Sequence, residues 1–316
     1  MTGTNTQQSA VPLRGAKEAH ATKPQSNLSK LLAFGAEFCG SPAALAGIVT
    51  LGVVIAAAIC APLITPQNPY DLSTLSIMDA RLPPGTSNFN GYTHWLGTDG
   101  LGRDMFSAIV YGLRISLTVG ATSAIFALII GMTMGLSAAY VGGRTDAAIM
   151  RLVDLQMSFP PILIALILLA ILGRGADKTM IALIAVQWAY YARTVRASAL
   201  VEREREYIEA ARGLRLGHGQ IIFRHLLPNC FTPLLVVLTI QMAHAITLEA
   251  TLSFLGIGLP ETQPSLGLLI ANGYQYMLSG AYWISIFPGI ALLVTLLSIN
   301  IVGDRLRDML NPGLKR

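Results

Sequence analysis

Residues Glu206 to Asn229 read EYIEAARGLRLGHGQIIFRHLLPN, a charged, helix-prone segment between two runs apolar enough to lie in a bilayer. Val201 to Arg212 favours a short helix, because Glu, Arg, Ala, Ile and Leu are good or tolerable formers and glycine enters only at Gly213. Glu202 with Glu206, and Arg205 with Glu209, stand four residues apart on one face, the second pair with opposite charges. Gly213, Gly217 and Gly219 then weaken the helix, and QIIFRHLL resumes one until Pro228. The pattern is two helical pieces joined by a bend and lying along a membrane surface. Taken alone, it reads equally well as an amphipathic hairpin that only closes a connection.

The flanking runs decide the class. The chain has 316 residues, 53% hydrophobic and 12% charged, and its mean hydropathy is +0.56. That lies outside the composition of ordinary soluble domains and points to an all-α polytopic membrane protein. The net charge of +5 does not imply nucleic acid, since Lys and Arg cluster beside apolar runs and form no basic stripe with aromatics. Cys39, Cys60 and Cys230 are far apart, with no CxxC or His/Cys cluster, and read as small buried hydrophobes, neither disulfide nor metal ligands.

About 20 apolar residues cross the roughly 30 Å of hydrocarbon in a bilayer. Six segments qualify: 42–64, 115–141, 155–172 opening on the proline pair of SFPP, 179–199 with Arg193 and Arg196 near one end, 231–250 and 282–302. Residues 1–41 form a polar tail, 65–111 an outer loop, 112–303 the core with the charged loop 201–229, and 304–316 a second tail. Of 22 Lys and Arg, only Arg81, Arg103, Arg114, Arg174 and Lys178 fall outside if the N-terminus is inside, which leaves 17 within. This imbalance places both termini in the cytoplasm. Trp188, Tyr190 and Tyr191 then sit near the inner interface, Tyr282 and Trp283 near the outer one.

The charged loop resembles the EAA motif of permease subunits of prokaryotic ABC importers, in which Glu-Ala-Ala is followed at a fixed gap by Leu-Pro. Here the matching residues are Glu209, Ala210 and Ala211, then Leu227 and Pro228, and RHLLPN (Arg224–Asn229) has the form of the dipeptide, oligopeptide and nickel branch. HWLGTDGLGRDMFS (His94–Ser107), LEATLSFLGIGLPETQPSLG (Leu248–Gly267) and FPGIALLVTLLSINIVGDRLRDMLNP (Phe287–Pro312) are similar to the C-type subunit of that branch. The motif's glycine falls on Arg215, flanked by Gly213 and Gly217, so the bend is expected to shift away from 215.

The resemblance implies a type I importer permease (MetI-like) fold in the bacterial inner membrane. It also implies a second, B-type permease chain, one or two cytoplasmic ATPase subunits that carry ATP and Mg, an extracytoplasmic solute-binding protein, and no catalysis or cofactor on this chain. Glu209, Ala210, Ala211, Arg212, Gly213, Gly217, His225, Leu227 and Pro228 would form the surface that docks the ATPase. The resemblance leaves the cargo open among peptides, nickel, glutathione, opines and oligosaccharides.

Three other groups attract attention. GTDGLGRD is rich in glycine but lacks GxxxxGK[ST], and no Gly-Lys pair occurs, so it does not cradle a nucleotide. Its Asp99, Arg103 and Asp104 read either as a helix-start cap or as a contact for the solute-binding protein. Gln241 and His244 share a helix face and, with Glu249, are candidate pore residues, Glu249 alternatively standing at the outer interface. An ion-coupled transporter would need more carboxylates or histidines at membrane depth and often paired inverted repeats. An intramembrane enzyme would need a Ser/Lys, paired-Asp or HExxH arrangement, which the sequence lacks.

Overall fold

The computed structural model describes residues 35–71, 73, 75–88 and 91–310. Most of the expected N-terminal tail, 1–34, and the end of the expected C-terminal tail, 311–316, lie outside the described residues.

Helix α1 (Pro42–Ile59) begins where expected: Ser41 Oγ accepts from the Ala44 N–H at 3.5 Å, and Pro42 occupies the first turn, where a missing donor does no harm. It buries only Ala44, Gly47 and Ala58 and is apolar all round, as suits a lipid-facing span. The expected span to 64 breaks at Cys60; a separate short turn, Ala61–Ile64, follows with Pro62 in its opening.

Helix α2 (Met105–Val141) starts ten residues before the expected 115 and is about 55 Å long at 1.5 Å per residue. The third expected span is not one straight helix. It is α3 (Gly143–Met157) and α4 (Pro161–Leu172), bent by 90° across Ser158–Pro160. Pro160 and Pro161 carry no N–H, so the ladder cannot run through them.

Helix α5 (Ala176–Arg203) packs along α2 at close range. A Cβ on Gly131 would lie 2.5 Å from the Trp188 carbonyl oxygen, and one on Gly135 2.5 Å from that of Ala192. Glycine spaced by four residues therefore lets the two backbones meet, the usual device where lipid offers no hydrophobic drive.

After α6 (Glu206–Gly213) come a single α-helical turn (His218–Ile221), a π-helical segment (Ile222–Leu226) and α7 (Leu227–Phe254), which run on without a break. A short helix that the sequence reading missed, α8 (Leu266–Tyr274), is capped by Ser265, and α9 (Trp283–Leu310) ends the described chain. A two-stranded antiparallel hairpin pairs Thr86 with His94 and Ser87 with Thr93.

Four helical stretches among the described residues are long and apolar enough to cross a membrane, or five if the bent pair counts as one. The expected fourth span, α5, has 28 residues but carries Asp177, Lys178, Arg193, Arg196, Glu202 and Arg203, so the count of six is not met on apolarity. One core joins α1, α2, α7, α8 and α9 through Ala58, Met105, Ile246, Leu269 and Ile299. A second joins α2, α5 and the charged segment through Leu136, Tyr191, Ile208, Leu226 and Leu234.

Candidate functional site

Within the charged segment, the expected helix 201–212 is two helices. Alpha5 ends at Arg203, Arg205 adopts an extended φ/ψ of −78°/143°, and α6 begins at Glu206. Glu206 and Glu209 lie in the first turn of α6 and Arg212 in its last, signs that complement the helix dipole. Arg205 does not meet Glu209; its Nε stands 3.8 Å from Glu202 Oε1.

One side of α6 is fixed. Ile208 (0% exposed) and Ala211 (4%) pack into the second core with Ala199, Ile221 and Cys230. The other side is free: Glu209, Ala210, Arg212, Gly213 and Gly217 are exposed, as is Pro228, while His225 and Leu227 are half-buried. Leu214 (76%) and Phe223 (70%) add two large apolar side chains to this surface.

The bend does not move to a flanking glycine. Arg215 itself takes the left-handed conformation, φ 55°, with its N–H on the Arg212 carbonyl (2.9 Å) and the Leu216 N–H on that of Ala211 (3.2 Å). These are the two hydrogen bonds of a Schellman ending, and Arg215 holds the position that glycine usually fills.

Pro228 does not end the second piece either. The π segment precedes it, with the Leu227 N–H on the Ile222 carbonyl, and this widened turn makes room for a proline ring that would press on the carbonyl four residues back. The Asn229 side-chain amide satisfies the His225 carbonyl at 2.7 Å.

Side chains stitch the segment to the bundle. Arg203 Nη1 donates to the Ala139 carbonyl (2.8 Å), and Tyr140 Oη lies 2.6 Å from His218 Nδ1. Tyr207 Oη donates to Glu202 Oε2 (2.6 Å) and accepts from Asn229 Nδ2 (3.0 Å). Partial burial, and then this hydrogen bond to the Glu202 carboxylate, push the Tyr207 phenol up to about 12. The Tyr207–Glu202 hydrogen bond therefore persists well above neutral pH.

At the far end of α2, Asp104 caps the helix by accepting from the Ser107 N–H at 2.8 Å, and it also lies 3.0 Å from His94 Nδ1. Asp99 accepts from the Arg103 Nε at 2.6 Å, and Arg103 Nη1 donates to the Glu261 carbonyl at 3.1 Å. Trp283 Nε1 donates to the Thr98 carbonyl at 3.1 Å, which ties this loop to α9. Asp99, Arg103 and Asp104 are at most 1% exposed: Asp104 is a helix-start cap, as one of the two readings had it, and the three side chains lock the loop internally instead of forming the surface contact of the other.

The structure separates the three residues expected at membrane depth. Glu249 (0% exposed) is held between helices, accepting from Ser116 Oγ (2.7 Å) and Ser253 Oγ (2.8 Å), so it faces neither a pore nor an outer interface. Gln241 (5%) is buried and gives its carbonyl to Gln187 Nε2 at 3.1 Å. Of the three, only His244 is exposed, on the side of α7 that also shows Ile240 and Thr247.

The described residues form a helical membrane bundle with a charged, bundle-anchored elbow at one end of α2 and a buried polar lock at the other. The chain belongs to the family described as binding-protein-dependent transport system inner membrane component, which matches residues 127–316. The N-terminal transmembrane domain of oligopeptide transport permease C matches residues 34–84. A putative peptide transport system permease protein of Brucella suis biovar 1 is 44% identical over 269 residues, covering 85% of this chain and 87% of the relative. The di/tripeptide transport system permease protein DppC of Pseudomonas aeruginosa is 36% identical over 288 residues, covering 91% and 93%. Among solved structures, the inward-facing MetNI methionine ABC transporter matches at TM-score 0.54 and 22% identity, over 66% of this chain and 98% of that one. The fold is therefore MetI-like, and the chain is a multi-pass inner-membrane permease subunit of an ABC importer.

Proposed function

We propose that the chain is the C-type permease of an importer for di- or oligopeptides, and that it forms half of the path with a B-type permease chain. The peptide cargo is supported by the names of its relatives, from the Brucella peptide permease to the di/tripeptide permease DppC. ATP is bound with Mg and hydrolysed on separate ATPase subunits, an extracytoplasmic binding protein delivers the cargo, and both chain termini lie in the cytoplasm.

The observation that carries the coupling role is the two-sidedness of α6. Ile208 and Ala211 anchor it in the bundle, while Glu209 and the small Ala210 stand free to meet a partner closely. Shifting an equilibrium from 1:99 to 99:1 takes about 5.5 kcal/mol. ATP binding supplies that energy, and the anchored segment passes it on.

Ala210→Trp tests this. The variant is expected to fold and to assemble with the second permease, yet to lose ATP-driven peptide uptake in vesicles. Uptake equal to the parent's removes α6 from the coupling path. Copurification of the parent with a B-type permease and ATPase subunits checks the assembly, and a reporter fused to the N-terminus checks its side of the membrane.

A further inference from the structure

The 90° break between α3 and α4 has a chemistry of its own. The carbonyls of Met157, Ser158 and Phe159 accept no hydrogen bond from any described residue: Pro161 brings no donor to Met157, and the Leu163 N–H turns to the Pro160 carbonyl. Ser158, Phe159 and Pro160 are all exposed, Phe159 at 55%.

This elbow packs against the middle of α5. The Gln156 side-chain amide donates to the Ala185 and Val186 carbonyls at 2.7 and 2.9 Å. Those residues stand about ten positions into α5, ~15 Å from its expected outer end and within a turn of Trp188, which is expected near the inner interface, so the elbow falls in the inner half of the ~30 Å hydrocarbon layer. Unpaired carbonyls facing lipid there would each cost several kcal/mol, and irregular backbone at such depth is tolerated where it is buried in protein or lines water.

We infer that the Met157–Pro160 elbow lines the translocation path and offers its carbonyl oxygens to the ammonium group of a passing peptide. Carbonyl oxygens only accept, and an ammonium only donates. One turn earlier, Asp154 is 65% exposed and ion-paired with Arg193, itself 49% exposed, so a carboxylate and a guanidinium lie beside the elbow. A peptide with free ends carries the complement of both. The ligand rests on the peptide-importer reading; the water-lined elbow does not.

The test uses the reconstituted importer with Cys39, Cys60 and Cys230 replaced and a single Ser158→Cys, or Phe159→Cys as a second reporter. A membrane-impermeant methanethiosulfonate is the label, and Val53→Cys on the lipid-facing side of α1 is the control. Ser158→Cys is expected to react about tenfold faster than the control, because the reactive thiolate needs water. Alanyl-alanine should slow that reaction and N-acetyl-alanyl-alanine should not. Labelling at both elbow positions no faster than the control, or crosslinking of the elbow to the second permease with no labelling, overturns the lining. Equal protection by the two dipeptides overturns the ammonium site. Dipeptide uptake by the cysteine-free parent is read in the same vesicles. Absent uptake beside rapid labelling sinks the peptide reading alone, and normal uptake without labelling sinks the elbow alone.

Discussion

The Leu216 N–H reaches back across Arg215 to the Ala211 carbonyl at 3.2 Å, while Arg215 stands at φ 55°. A non-glycine residue in this left-handed region carries roughly 1–2 kcal/mol of steric strain. Arg215→Gly removes it, against a smaller entropic loss from a freer unfolded chain. The variant is expected to melt at higher temperature in detergent, by about 1 kcal/mol of added stability. An unchanged or lower midpoint means that Arg215 makes a compensating contact.

Ala210 and Ala211 are neighbours with opposite surroundings, the first exposed and the second 4% exposed against the core. Ala211→Trp therefore overpacks the bundle at roughly 1–3 kcal/mol or more, whereas Ala210→Trp leaves stability within about 0.5 kcal/mol of the parent. Thermal unfolding of the two purified variants distinguishes them. Equal midpoints would refute the assigned burial.

Asp99 and Arg103 form a buried ion pair, 2% and 0% exposed in their side chains. Removing one partner leaves an uncompensated charge, so Arg103→Met is expected to lose about 3–5 kcal/mol. Adding Asp99→Asn to it should restore part of that loss, because the stranded carboxylate is neutralised while a side-chain oxygen remains for the Leu101 and Arg103 N–H groups. Yields of folded protein from membranes, with melting curves, measure both. A double variant no better than the single one contradicts the pairing.

The Tyr207 phenol, raised from 10.0 to about 12, sets a pH window. Its folded value lies above its unfolded one, so the stabilisation is fully present below pH 10 and is lost as pH rises through about 12. The stability difference between parent and Tyr207→Phe should thus hold steady up to pH 10 and shrink above it. Phenolate absorbance, compared between the two proteins, locates the titration. A Tyr207 that ionises near 10 discards both its burial and the Glu202 hydrogen bond as holding the phenol neutral.

Much of the helical order was legible because apolar length is a strong signal; α1 begins at Pro42 as expected. Helix ends were less so. Alpha2 starts at Met105 because Asp104 caps it there, but Arg114 interrupts the apolar run and hid ten residues of helix. Alpha8 escaped because nine residues are too few to span and its packing, with Gly273 against Ser285, is a tertiary fact. The proline pair announced a break but not its 90° angle, which depends on what α3 and α4 pack against. At the charged loop, Glu209 to Pro228 marked the place, yet composition could not show that Arg215 would accept a glycine's conformation. Nor could spacing sort Gln241 from His244, since a shared face says nothing about which neighbour covers it.

His218 to Phe254 runs as one helix of 37 residues, about 55 Å from end to end, and the wide turn before Pro228 leaves it uncut. Pro233 inside it and the π turn before Leu227 are the two places where its regular ladder gives way. Both lie near the His218 end, which leaves the stretch from there to the opposite tip, where the Phe254 ring stands 6.2 Å from Tyr274, as the unbroken part of the rod.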